Sequence, residues 1–366
     1  MVPVEVTGCL GKRLKCLRNG IKVSATRRQS SQPLASRLTS GDSMSQFTMS
    51  LSLGGTREIY SPEAVVKAMA RSEGTNNALL MKTYGRMLDV GAQRFISKPS
   101  SSDALAPLAQ ACPNFQGVVD DLRKYLELAL YGSSPLNFVP ILLAGEPGVG
   151  KTHFAAELAK ALNIPHRFVS MGTMTSGWVL SGSSSGWSGA RHGKVAQALI
   201  EETIANPAFT LDEVDKAGGD HRYDPFGALL QLLEPDTAKH FTDEFLDVEI
   251  DTSGIFWVGT ANNLSAIPDY ILQRMMVYEV PSPTRAQAAS IAQSIYSGLL
   301  AANGWGFDPD LTDAVLEHMA EVSPREMKKA LLDAMGSARL AKRETVLADD
   351  VGHSHVKKKT SMGFRA

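Results

Sequence analysis

The chain has 366 residues, 43% apolar and 20% charged, the proportions of a folded globular protein with material for two or three compact units. A formal net charge of -1 excludes a global electrostatic pull toward nucleic acid or an anionic membrane, and no apolar run approaches the roughly 18–20 residues of a membrane span. The three cysteines, Cys9, Cys16 and Cys112, have neither the pairing of a disulfide framework nor the spacing of a metal site. They read as reduced thiols, and cytoplasmic localisation is the expectation.

Residues 1–48 are basic and rich in Ser and Thr, carrying Arg13, Arg18, Arg27, Arg28 and Arg37 against only Glu5 and Asp42. Without apolar periodicity they predict a disordered leader. An Arg- and Ser-rich, acid-poor leader fits an organelle transit peptide; a misassigned start fits equally, because Met44 and Met49 stand where the composition changes. Residues 49–105 predict a small helical region. Ser61-Pro62-Glu63 is a helix start with a capping hydroxyl, a proline at the first helical position and an early acid. A second helix is predicted over 77–94, and KPSSS at 98–102 reads as a linker.

From Pro113 onward strands alternate with helices, predicting a parallel sheet covered on both faces within residues 106–282. The expected strands are 139–144, 167–170, 208–211, 255–260 and 276–280, with helices near 117–131, 151–162, 193–205, 224–234 and 267–273. Beyond Pro281 and Pro283 only helices are predicted, over 284–300, 310–321 and 324–342. This predicts a small all-α domain over 283–350, followed by a basic tail, 351–366.

The first expected strand of the sheet runs into Gly145-Glu146-Pro147-Gly148-Val149-Gly150-Lys151-Thr152 and then a helix. This is G-x-x-x-x-G-K-[ST] in its strand–loop–helix setting, which predicts ATP and Mg²⁺ binding. The glycines let backbone N–H groups close around a phosphate, and the helix adds its positive end. Lys151 brings a charge to the β- and γ-phosphates, and Thr152 a hydroxyl to Mg²⁺. The second signal is Ala208-Phe209-Thr210-Leu211-Asp212-Glu213. With a phosphate loop upstream, Asp212 is expected to serve Mg²⁺ and Glu213 to activate the attacking water; alone, two acids after a strand read equally as a helix cap. Asn262 fits a water-positioning amide or a turn residue. Arg274 fits a cation reaching a neighbouring subunit's γ-phosphate or a surface ion pair.

These residues identify a resemblance. Residues 113–342 resemble the AAA+ ATPase module of Lon-type ATP-dependent proteases, on the strength of NPAFTLDEVDKAG, YDPFGALLQLLEPD, FTDEFLDVEIDTSGIFWVGTANN and IPDYILQRM. The resemblance implies a P-loop AAA+ core followed by an all-α lid, assembled as a hexameric ring that threads unfolded polypeptide. It implies that Asn262 is the sensor-1 residue, Arg274 the arginine finger and Arg325 the sensor-2 arginine of the lid. SMGTMTSGWVLSGSSSGWSGARHGK resembles the family's pore-loop region, with Trp187 on the substrate-gripping aromatic and Gly193-Lys194 on the glycine-lysine that follows. A second pore loop is expected around His221, Arg222 and Tyr223.

Three departures qualify the resemblance. The aromatic–aliphatic pair becomes Trp187-Ser188, Met-Pro before the glycine becomes Arg191-His192, and the acid before the arginine finger becomes Gln273. No nucleophilic serine with a partner lysine is found after the predicted lid, so no peptidase activity is expected of this chain. The reading is therefore a Lon-like motor acting on unfolded polypeptide, with a separate protease or adaptor as partner. An ATPase component of such a two-part protease is the alternative. A nucleic-acid-stimulated ATPase would need a basic stripe that the predicted module lacks. A simple nucleotide switch would not need Glu213, Asn262, Arg274 and Arg325 together.

Overall fold

The computed structural model describes residues 53–74, 77–132, 138–174, 176–218 and 224–352. The basic leader, the tail beyond 352 and the second expected pore loop at His221, Arg222 and Tyr223 lie outside the described residues.

The chain opens with strand β1, Leu53–Glu58, helices α1, Pro62–Arg71, and α2, Ala78–Val90, and strand β2, Gln93–Ser97. The start of α1 is the one the sequence signals: Ser61 Oγ accepts from Ala64 N, with Pro62 in the first turn. The region is not purely helical as expected, because β1 and β2 pair antiparallel around the two helices. The expected helix over 77–94 stops at Val90, where Gly91 adopts φ 78°, a left-handed conformation that favours glycine. Gly54 and Gly55 in β1 and the charged Arg94 on the buried face of β2 hide the apolar alternation that makes a strand legible. β2 is held instead by long-range partners: Phe95 N donates to Thr203 O at 2.8 Å, and Ala205 N donates to Phe95 O at 2.7 Å. That pairing also ends the helix expected over 193–205 at Glu201. Arg94, only 1% exposed, is held by the carbonyls of Leu199 at 2.9 Å and Gly91 at 2.8 Å and lies over the Tyr60 ring.

The stretch expected as a linker is packed. Ser102 is buried with its hydroxyl on Glu127, and Lys98 Nζ donates to Ala129 O at 3.2 Å. Helices α3, Ala106–Ala111, and α4, Gln116–Tyr131, follow, then β3, Ile141–Ala144, and α5, Lys151–Ala161. Next come β4, His166–Ser170, α6, Trp178–Ser181, α7, Lys194–Glu201, and β5, Ala208–Asp212. Helices α8, Gly227–Leu232, and α9, Pro235–Ala238, precede a hairpin of β6, Phe241–Asp243, and β7, Val248–Ile250. Three-residue strands show no period, so this hairpin is not legible in the sequence. The core closes with β8, Phe256–Ala261, α10, Asp269–Leu272, and β9, Met276–Glu279.

The five expected strands form one parallel sheet in the order β4-β5-β8-β3-β9. Their side chains alternate between two cores. Leu142, Phe209, Leu211 and Trp257 join α1, α2 and α7 on one face; Ile141, Leu143, Ala208, Phe256 and Val258 join α4 and α5 on the other. Burial on both faces explains why the central strands β3, β5 and β8 read as continuous apolar runs, whereas the edge strands β4 and β9 are only partly buried. Each fully buried large side chain contributes about 1.5–3 kcal/mol, so Tyr84 and Met87 in the first cluster fix the N-terminal helices to the sheet.

After Pro281 the chain is helical, as expected: α11, Arg285–Asn303, α12, Asp313–Met319, and α13, Pro324–Leu340. A capping box, Thr284 with Gln287, starts α11. The three helices enclose their own core around Tyr296, Val315, Met319, Met327 and Leu331. No helix among the described residues is long and apolar enough to cross a membrane.

Candidate nucleotide site

The carboxyl ends of β3, β5 and β8 converge on the loop before α5, the place where parallel sheets present their ligand-binding residues. Gly145 N donates to Ala261 O at 3.2 Å, tying the loop to the end of β8. A Cβ on Gly145 would lie 2.5 Å from the Val280 carbonyl oxygen, so no side chain fits there. Gly148 and Gly150 adopt φ 91° and 101°, which turns the loop into the start of α5. The first amides of a helix have no intrahelical acceptor, and together with the helix dipole they form an anion cradle.

Lys151 is 7% exposed. Its ammonium donates to Gly145 O at 2.8 Å, Glu146 O at 2.9 Å and Asn262 Oδ1 at 2.9 Å. Burial lowers its pKa, and the nearby Asp215 and Asp212 carboxylates pull the other way. A buried ammonium held by neutral oxygens, beside unused amides, suits the phosphates of a nucleotide. Asn262 is thus joined to the phosphate loop by its side chain.

Asp212 Oδ1 accepts the Thr152 hydroxyl at 2.6 Å and the Thr260 hydroxyl at 2.8 Å. Thr152 and Asp212 therefore stand together as a hard-oxygen pair, the donor type that Mg²⁺ takes. Thr260 also accepts the Glu213 N–H at 3.0 Å. That bond accompanies a left-handed backbone at Glu213, φ 57°, in the region where function stores strain. The Glu213 carboxylate is paired with Lys216. Thr260 went unnoticed in the sequence; its only signal is its position on β8 beside the two acids. Asp215 was also missed. Its Oδ2 accepts Asn263 N at 3.2 Å, while Oδ1 is buried without a hydrogen-bond partner.

The lid reaches the same loop. The Cβ atoms of Arg325 and Ser323 lie 3.7 and 3.8 Å from where a Cβ on Gly148 would stand, and Ser282 Oγ donates to Glu146 Oε2 at 3.1 Å. Arg325 therefore starts α13 directly over the phosphate loop. Asn114, another residue the sequence did not flag, donates at 3.3 Å to both Val149 O and Pro281 O. It joins the phosphate loop to the segment leading into the lid.

Arg274 belongs to a different place. Its Nη1 donates to Tyr270 O at 2.6 Å and its Nε stands 3.9 Å from Glu234. Glu234 stands at the turn between α8 and α9.

Trp187 lies on the ten-residue loop between Gly182 and Gly193 and is 61% exposed. Ser183 N donates to Arg191 O at 3.1 Å and Arg191 N to Ser183 Oγ at 3.2 Å, drawing the ends of the loop together. From Gly193 the chain enters α7 and then β5, which ends at Asp212.

Residues 141–281 match the family described as "ATPase family associated with various cellular activities (AAA)". The chain is similar to Lon protease 1 of Thermus thermophilus, 35% identical over 54% of this chain and 24% of that protein. It is 39% identical to the peroxisomal Lon protease homolog 2 of Oryza sativa subsp. indica, over 58% of this chain and 24% of that protein. The Lon protease of Malacoplasma penetrans matches at 28% over 73% of this chain and 35% of that protein. The match thus spans about a quarter to a third of these relatives' lengths. Among solved structures, the fold resembles closed-state Hsp104:ATPyS with FITC casein, with a TM-score of 0.53 and 16% identity over 66% of this chain and 48% of that one. The P-loop fold and the converging site thus coincide with the match of residues 141–281 to the AAA ATPase family and with the stretch that is similar to part of the Lon proteases.

Proposed function

We propose that this ATPase works as a ring, expected to be hexameric, that uses ATP hydrolysis to unfold, thread or remodel polypeptide. The observation that carries this reading is the exposed Trp187 on a loop whose far end leads through α7 and β5 to Asp212 and Glu213. An aromatic raised into solvent on a glycine-rich loop contributes little to a core; it suits sequence-tolerant contact with an extended chain. Helix α7, the connection 202–207 and strand β5 lead from that contact to Asp212 and Glu213.

In this reading the amides of Gly145 to Thr152 and the Lys151 ammonium hold the phosphates. Thr152 and Asp212 supply oxygen ligands to Mg²⁺. Glu213 releases Lys216 and takes the proton of the attacking water. Asn262 orients that water, and Arg325 senses the phosphates from the lid. Arg274 acts on the site of a neighbouring subunit; its guanidinium is held by Tyr270 O and faces Glu234. His221 and Tyr223 are proposed as a second contact for the polypeptide. The curated relatives are proteases, which favours as a second reading an ATPase component that works with a peptidase.

The reading is tested with a green-fluorescent domain carrying an unstructured tail. ATP should drive loss of its fluorescence by the wild type and not by Glu213→Gln; fluorescence that survives with both proteins contradicts the proposal.

A further inference from the structure

The loop carrying Trp187 leaves and rejoins the fold at one point, and a buried carboxylate stands beneath it. A Cβ on Gly193 would overlap the Leu180 carbonyl oxygen and stand 2.5 Å from Gly182 N, while one on Gly182 would lie 2.6 Å from Asp243 Oδ1. The two ends of the loop therefore press against each other and against Asp243. Asp243 sits fully buried at the end of β6. Its Oδ1 accepts the N–H groups of Phe245 at 3.0 Å and Leu246 at 3.1 Å, and its Oδ2 accepts that of Gly193 at 2.8 Å.

A turn-capping aspartate explains the two bonds at Oδ1, which close the β6–β7 hairpin. It does not explain Oδ2, which leaves the hairpin and takes the amide at the far end of another loop. Burying a carboxylate is unfavourable unless its oxygens are satisfied, and a hairpin turn alone could be capped at the surface. The same network extends to the N-terminal helices. Tyr84 OH donates to Leu246 O at 2.6 Å, and Asn77, the cap of α2, donates from Nδ2 to Ser185 O at 3.1 Å.

We infer that Asp243 is a positioning residue for the Trp187 loop, its carboxylate clasping both loop ends to the β6–β7 hairpin and setting the stance from which Trp187 meets polypeptide. The role of Trp187 rests on the threading reading above; the clasp rests only on the loop ends. Through Leu246 and Ser185, α2 is in hydrogen-bonded connection with the same loop.

Asp243→Asn tests the clasp. The two N–H groups at Oδ1 orient the amide oxygen toward the hairpin, which leaves the amide NH₂ facing the Gly193 N–H, donor against donor. The hairpin stays capped while the loop is released. The expected result is tryptic cleavage after Arg191, mapped by mass spectrometry without added polypeptide, that is about tenfold faster than in the wild type while cleavage elsewhere is unchanged. The ratio of casein-stimulated to basal ATP turnover should fall toward one. Unchanged cleavage at Arg191 in a variant with the native circular dichroism overturns the clasp, and faster cleavage with full casein stimulation overturns its link to Trp187. If Trp187→Ala keeps its casein stimulation, the threading reading fails while the cleavage result still decides the clasp. Should Asp243→Asn not fold, hydrogen exchange in the wild type decides: the Gly193 amide should exchange about a hundredfold more slowly than those of Gly186, Ser188 and Gly189, and exchange at the same rate overturns the inference.

Discussion

The Lys151 ammonium stands 2.9 Å from Asn262 Oδ1, so the phosphate loop before α5 and the end of β8 are joined through their side chains. The amide oxygen gives a buried cation one of its few partners. Lys151→Ala removes the charge and leaves the amide without its donor. Truncating one partner of a buried charged contact costs about 2–5 kcal/mol, so ATP affinity should fall by about a hundredfold or more. Titration with a fluorescent ATP analogue measures this directly.

Glu213→Gln keeps the size of the side chain and removes its basicity. Nucleotide affinity should stay near that of the wild type while turnover falls by about 10²–10⁴, the usual contribution of a general base. Equilibrium binding and single-turnover hydrolysis separate the two quantities.

Thr260→Val is nearly isosteric and removes one hydroxyl that serves both acids. The Glu213 N–H loses its acceptor, and Asp212 loses a donor. An unsatisfied buried group costs about 1–3 kcal/mol, so unfolding in urea should shift by that amount. Turnover should fall by roughly tenfold, because the left-handed turn at Glu213 is no longer held.

Asp243 gives the stability a pH dependence. Burial, opposed by its three backbone N–H bonds, pushes its pKa up from 3.8 to about 6. A carboxyl whose folded pKa is raised binds more protons in the folded state, so its stabilising contribution is complete below about pH 4 and is lost as pH rises through about 6. A shift of about two units corresponds to about 3 kcal/mol. The difference in unfolding free energy between wild type and Asp243→Asn should move against the wild type by about that amount between pH 4 and 7. Denaturant titrations at a series of pH values test it.

The parallel sheet was legible because its central strands β3, β5 and β8 are buried on both faces and read as apolar runs punctuated by glycine and proline. The phosphate loop was legible because its chemistry is local: glycines, lysine and threonine in eight consecutive residues. Strands β1 and β2 were not, since Gly54, Gly55 and Arg94 hide their period and their partners lie far along the chain. The β6–β7 hairpin is too short to show alternation. Thr260, Asn114 and Asp243 escaped for a shared reason. Each acts by joining segments distant in sequence, and nothing in its neighbours announces the partner.

ATP turnover by the wild type and Trp187→Ala, with and without casein, tests the central claim most directly. The account predicts stimulation of the wild type by casein and its loss in Trp187→Ala, with basal turnover retained. Turnover that ignores casein in both proteins and rises with DNA would contradict it.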